Sequence, residues 1–275
     1  MSIHKKTQAL IDTAYVVLEA NHPMTVRQVY YQLVSRHVIE NNRGRYQSVS
    51  DALVYGRQNC IIPWDWIEDR LRRPRQVGMW SDLGDFGTTI LSAYRRDVWA
   101  SQPRYVEVWL EKDALSGIFE DILNHYGVAL NVGRGYDGWD SIRNAARRYG
   151  NGDNTTILYF GDFDPSGEDM VRSLRDRLGF FGCHPSIRKC ALNLDDIQRY
   201  NLPPDNTKKS DTRRKKFVDQ FGDVSVELDA MPIDVLKDRI KTEIEAHMNL
   251  SALAATLETE DRERLALESL MGRLI

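Results

Sequence analysis

The chain has 275 residues, 42% of them hydrophobic and 28% charged, and its 37 Lys and Arg against 40 Asp and Glu give a net charge of −3. That length suits two modest domains or one large one, and no run approaches the roughly 18 apolar residues of a membrane span. Three scattered cysteines (Cys60, Cys183, Cys190) with no Cys-x-x-Cys pair, and an opening that runs straight into an amphipathic pattern, predict a cytoplasmic protein without disulfides or structural zinc. The charge is uneven: residues 223–275 hold 12 acidic and 6 basic side chains, which leaves +3 on the first 222. Basic residues cluster there, at Arg70, Arg72, Arg73 and Arg75, and at Lys208, Lys209, Arg213, Arg214, Lys215 and Lys216. Such patches are either solvated faces or places to hold phosphate, so the charge permits DNA without demanding it.

In chain order, residues 5–20 show a helical apolar pattern in Leu10, Ile11, Ala14, Val17 and Leu18. A second helix opens at Thr25, with Gln28 completing a capping box, and runs to about Arg36. A third is predicted over 48–58, after which 61–63 reads as a short strand entering a loop. Three helices and a wing-like strand predict a CAP-like winged helix-turn-helix over residues 1–100, with 72–103 as a linker. From residue 104 the pattern alternates, with strands over 105–110, 128–132, 156–160 and 186–192 and helices over 114–126, 139–149 and 166–178. That α/β alternation predicts a parallel sheet covered on both faces over 104–275. A basic connector beyond Lys208, a short strand over 224–228 and two closing helices complete it, with no internal repeat.

The second helix carries a tyrosine pair. At about 100° per residue, Val26, Val29, Tyr30, Leu33 and His37 share one side and face the core. Tyr31 falls off that stripe, on an exposed face with Arg27 one turn earlier. A phenol with a pKa near 10 needs a cation, a base or a metal beside it to attack phosphate, and Arg27 is such a neighbour. The alternative is that both rings simply pack.

Acids follow two strands. Glu111 comes directly after 105–110 and precedes Lys112 and Asp113; Asp162 and Asp164 follow 156–160 in Gly-Asp-Phe-Asp-Pro-Ser-Gly. Ligands in open α/β sheets bind outside the carboxyl ends of strands. Three carboxylates converging there repel one another unless a cation joins them, and oxygen donors alone select a hard ion, Mg²⁺ or Mn²⁺. The same residues also suit a tight turn with a helix cap, and an exposed strand end. Between them, Gly133-Arg-Gly135-Tyr-Asp-Gly138 matches the dinucleotide pattern, but it sits on the second strand with bulky Trp139 next, so no nucleotide site is expected.

These motifs carry a resemblance. Val106-Glu-Val-Trp-Leu-Glu111-Lys112 followed by Gly161-Asp162-Phe-Asp164-Pro-Ser-Gly167 resembles the two halves of a Toprim domain. The Asp-x-Asp-Pro-x-Gly form is most similar to the DNA-cleaving component of type IIB topoisomerase (topoisomerase VI) and its meiotic relative. Thr25-x-Arg27-x-x-Tyr30-Tyr31 resembles that family's tyrosine motif, whose second tyrosine attacks DNA. Residues 20–250 are covered, in the family's order. Two departures stand out: the stretch Gly135-Tyr-Asp137-Gly-Trp-Asp-Ser141 lacks the family's proline and arginine, and only 30 residues precede Tyr31. The first bears on that motif's DNA or dimer contact; the second points to the compact mini-A form of mobile elements.

The resemblance implies a nucleoid-associated homodimer that cleaves and rejoins double-stranded DNA by Mg²⁺-assisted transesterification, leaving a 5′-phosphotyrosine. Tyr31 of one copy works with Glu111, Asp162 and Asp164 of the other; Arg27 and Lys112 orient phosphate; Arg43, Arg45, Arg57, Arg72 and Arg73 grip the backbone. A separate ATPase protein is implied as a partner, because this chain has no nucleotide fold of its own. A metal-dependent nuclease with Tyr31 as bystander, and a DNA-binding module without chemistry, stay open as alternatives.

Overall fold

The structure, a computed structural model, describes residues 5–68, 77–133, 138–205, 207 and 211–272. Arg70, Arg72, Arg73, Arg75, Lys208 and Lys209, and residues 134–137 of the glycine motif, lie outside the described residues. The chain opens with α1 (Lys5–Asn21), α2 (Val26–Ser35) and α3 (Arg43–Gln58). The capping box forms as read: the Thr25 amide donates to Gln28 Oε1 at 2.5 Å, and the Gln28 amide donates to Thr25 Oγ1 at 3.2 Å. Helix α3 starts five residues earlier than periodicity suggests, because the Asn42 side chain caps it, accepting from the Arg45 amide at 2.9 Å. Ile11, Ala14, Val17 and Leu18 are buried among α1–α3.

Residues 61–63 are not the strand the sequence suggested. They form a bend into a 3₁₀ turn (Trp64–Trp66), and the β pairing nearby is a single parallel bridge, Met24 to Ile67. Pro63 supplies no N–H to a ladder, which disfavours a strand there. The stretch read as a linker contains α4 (Leu83–Ala93), capped by Asp82 on the Asp85 amide at 2.9 Å.

The second half is a mixed α/β unit: β1 (Tyr105–Leu110), α5 (Ser116–Tyr126), β2 (Ala129–Val132), α6 (Trp139–Tyr149), β3 (Thr155–Phe160), α7 (Pro165–Phe180) and β4 (Ser186–Ala191). All pairings are parallel, in the order β2-β1-β3-β4. Val106, Val108, Leu110, Leu158 and Phe160 pack on one face with Phe119 of α5, whereas Trp109, Ile157 and Tyr159 pack on the other with Ile142, Ala145, Met170 and Leu174. Burial on both sides makes β1 and β3 near-continuous apolar runs. Then come α8 (Leu194–Arg199), α9 (Arg214–Phe221), α10 (Ile233–Glu245) and α11 (Leu250–Met271), which makes eleven α-helices among the described residues. None of these is long and apolar enough to cross a membrane.

Two features position a site. The chain leaves β1 toward β2 and leaves β3 toward β4, so a crevice opens beyond the carboxyl ends of β1 and β3. A 3₁₀ turn at Leu228–Ala230 packs on α2, and Gln32 Nε2 donates to the Met231 carbonyl at 3.2 Å. One continuous apolar core therefore runs from α1 to α10.

Candidate active site

At the end of β1, Glu111 Oε2 accepts from the Asp162 amide at 2.9 Å and from the Tyr159 hydroxyl at 3.1 Å. This approach needs Gly161, where a Cβ would stand 2.5 Å from Glu111 Oε2. Asp162 Oδ1 accepts from the Leu228 amide at 2.8 Å, and Oδ2 lies 3.1 Å from Lys112 Nζ. Asp164 caps α7, accepting from the Gly167 amide at 2.6 Å with Pro165 in the first turn. Gly167 is required by space, since a Cβ there would lie 2.2 Å from the Asp162 carbonyl oxygen. The turn-and-cap reading of this loop is therefore correct for Asp164, and the same turn brings Asp162 to Glu111.

Tyr31 is not on an exposed face. It is 8% exposed, because seven of the ten α2 residues are buried and residues 228–230 cover the side that helical phase assigned to solvent. The predicted neighbour is present: the Arg27 guanidinium lies 5.3 Å from the Tyr31 ring centroid, and Lys112 Nζ lies 5.8 Å from it. Burial first, and then the Glu227 carboxylate beside it, push the phenol's pKa above the ordinary value. Tyr31 lines a cavity of about 160 Å³ with Asp162, Asp164, Asp205 and Glu227. That cavity shares Val34, Asn41, Pro203 and Asp205 with a wider groove of about 780 Å³ bordered by Lys6, His37 and Arg45.

Glu227 and Asp229 are site residues that sequence reasoning missed. Lys112 Nζ lies 2.6 Å from Glu227 Oε2 and 2.9 Å from Asp229 Oδ2, and Arg27 pairs with Glu227 and stands 3.7 Å from Asp229. Burial opposes the Lys112 charge, but Asp229, Asp162 and Glu227 together hold its pKa above normal. Burial likewise pushes Glu227 up, and is outweighed by Lys112, Tyr31 and Arg27, which bring it to about 2. No local pattern marked them: Glu227 leads into the 3₁₀ turn that holds Asp229, and their cationic partners come from α2 and the end of β1.

Among the described residues no group of three or more His, Cys, Asp or Glu stands in metal-holding geometry. The donors at the two strand ends nonetheless fit a hard divalent ion in kind. They are oxygen only, and burial, with the like charge of Glu111 beside it, lifts Asp162 above the carboxylate range despite Lys112. Of the predicted DNA contacts, Arg43 and Arg45 are exposed on the first turn of α3. Arg57 lies over the Trp64 ring at 4.9 Å, and Arg72 and Arg73 lie outside the described residues. No family model and no curated protein matches the chain.

Proposed function

We propose that this chain is a DNA-cleaving and rejoining enzyme of the kind found in type IIB topoisomerases, with a winged-helix domain over residues 1–100 and a Toprim domain over 104–275. One observation carries the reading. The tyrosine helix and the end of β3 line one cavity, and the end of β1 joins them beside it: Lys112 Nζ stands 3.1 Å from Asp162 Oδ2 and 5.8 Å from the Tyr31 ring centroid, and Arg27 stands 5.3 Å from that ring.

On this reading a phosphate of duplex DNA enters beside Arg27 and Lys112 and competes with Glu227 for them. The Tyr31 oxygen bonds to phosphorus as the bond to the 3′ oxygen breaks, which leaves the 5′ phosphate on the tyrosine. As the phosphate draws Arg27 and Lys112 away, Glu227 loses the cations that hold its pKa down and accepts the phenol proton, and the departing 3′ oxygen takes a proton from water. Rejoining is the reverse. Mg²⁺ or Mn²⁺ held by Glu111, Asp162 and Asp164 would supply positive charge to the transferring phosphoryl group. Whereas the resemblance implies acids from a second copy, Tyr31 here stands against Lys112 and Glu227 of its own chain, so we assign the reaction to groups of one chain. The partners proposed are duplex DNA, a second copy and a separate ATPase protein, with the nucleoid as the setting.

The test is supercoiled plasmid incubated with magnesium and then denatured with and without protease. Wild type should leave protein-linked DNA, Tyr31→Phe should abolish it, and Tyr30→Phe should retain it. Tyr30→Phe loses hydrogen bonds to Asn41 Oδ1 (2.9 Å) and the Asn42 carbonyl (3.2 Å), worth about 1 kcal/mol of stability. An adduct surviving Tyr31→Phe overturns the assignment. The burial of Tyr31 under Glu227 favours a second reading, a metal-dependent nuclease; cutting without adduct that persists in Tyr31→Phe would select it.

A further inference from the structure

We propose that Trp139, Phe180 and Phe181 form a stacking platform for the bases of an unpaired DNA strand. The three rings meet where the start of α6 comes against the end of α7. Trp139 lies 5.3 Å from Phe180 and 6.0 Å from Phe181, and the two phenylalanines lie 5.2 Å apart, with interplanar angles of 66°, 74° and 88°. Edge-to-face contacts of this kind fix the angle of each ring and leave ring faces open. Trp139 is 53% exposed, Phe180 74% and Phe181 36%, so the cluster leaves on the order of 300 Å² of aromatic surface in water. A lone exposed apolar side chain is ordinary, whereas contiguous rings of this extent mark an interaction site. The residues described around the Tyr31 cavity include none of the three.

The charge beside the rings selects the occupant. The Arg177 guanidinium lies 4.7 Å from the Trp139 ring centroid, so that ring already faces a cation and a second one would be repelled. Arg143 and Arg147 are exposed and follow Trp139 at four and eight residues, which sets them on its side of α6. Arg175 is exposed as well. Among the described residues no carboxylate pairs with any of these four arginines, whereas neighbouring Arg148 is held by Glu107. Two acids share the same stretches. Asp176 is paired with Arg172 at 2.6 Å, and Asp140 stands on the first turn of α6, where a carboxylate complements the helix dipole.

Open aromatic faces beside cations that are free to reach phosphate are the chemistry of single-strand recognition: the arginines track the backbone and the bases stack on the rings. A duplex keeps its base faces stacked on one another and offers the rings nothing. An apolar protein face would have to bury guanidinium groups that have no carboxylate. Naming the strand as DNA rests on the proposed function; the platform itself stands apart from the cleavage chemistry.

Fluorescence anisotropy of the full chain without magnesium tests it, with a labelled thymidine strand of about twelve nucleotides against an abasic strand of the same length and charge. Wild type should bind the thymidine strand about tenfold more tightly, and Phe180→Ala should remove that preference with its melting temperature unchanged. If Phe180→Ala fails to fold, photocrosslinking of wild type to a strand carrying iododeoxyuridine replaces it, and the adduct should map to Trp139, Phe180 or Phe181. Equal affinity for the two strands, a preference that survives in folded Phe180→Ala, crosslinks confined to other residues, or tighter binding of a uridine RNA strand overturns the proposal. So does a change of mass by sedimentation in Phe180→Ala, which would assign the rings to a protein contact. Protein-linked plasmid is read separately: base-dependent binding without it refutes the cleavage chemistry and keeps the platform, and linked plasmid without base-dependent binding does the reverse.

Discussion

Glu107 sits in the middle of β1 with no exposure, yet it is charged. It accepts from the Tyr105 hydroxyl at 2.8 Å, from Arg148 Nε at 2.8 Å and Nη2 at 2.9 Å, and from Asn131 and Tyr149. Burial alone would raise its pKa; the bonds from Arg148, Tyr149 and Tyr105 outweigh burial and hold it below the ordinary 4.5. The unfolded chain therefore binds this proton more readily, so the contribution is complete above about 4.5 and is lost as pH falls through the folded value. Glu107→Gln should cost about 2 kcal/mol at pH 7. Its urea midpoint should also fall less than that of wild type between pH 7 and pH 4; parallel falls would refute the assignment. Residues of this kind were the least legible in the sequence. A glutamate inside an apolar run reads as noise in a strand, because its partners come from β2 and α6. Glu227 and Asp229 were missed for a similar reason, since their partners Arg27 and Lys112 lie more than a hundred positions away.

Among elements, legibility followed local determination. The strands β1 and β3 emerged within a residue of their bounds, because burial on both faces writes itself as an unbroken apolar run. The capping box fixed the start of α2. Helices α8, α9 and α4 escaped: the first two are eight residues or fewer, α9 lies in a basic stretch, and α4 holds Gly84 and Gly87, which weaken a helical reading. Tyr31 shows the limit of helical phase, which ranks the faces of one helix and says nothing about what the chain later lays over them. The start of α7 combines both kinds of information. Asp164→Ala should lower stability by about 1 kcal/mol through the lost cap alone. Gly167→Ala should cost more, because its Cβ collides with the Asp162 carbonyl and moves the acid loop. Thermal melts in which Gly167→Ala is the milder change would contradict that geometry.

For the whole molecule, the arginines on α3 and the groove beside Tyr31 lie on a part of the chain with a positive surplus, while α11 and its neighbours carry the acids. Duplex binding should fall steeply with salt, and Arg45→Ala should lower the slope of log affinity against log salt by about 1. An Arg45→Ala slope equal to wild type would remove Arg45 from the interface. The clasp between α2 and residues 227–231 has a further consequence, in time. Arg27 and Glu227 are 200 positions apart. At roughly 5–20 residues per second of synthesis, a ribosome needs about 10–40 s to travel from one to the other. Until then Tyr31 lacks the cover of residues 228–230 and Arg27 lacks Glu227, so on the proposed reading the tyrosine site is assembled only after residue 230 has been made.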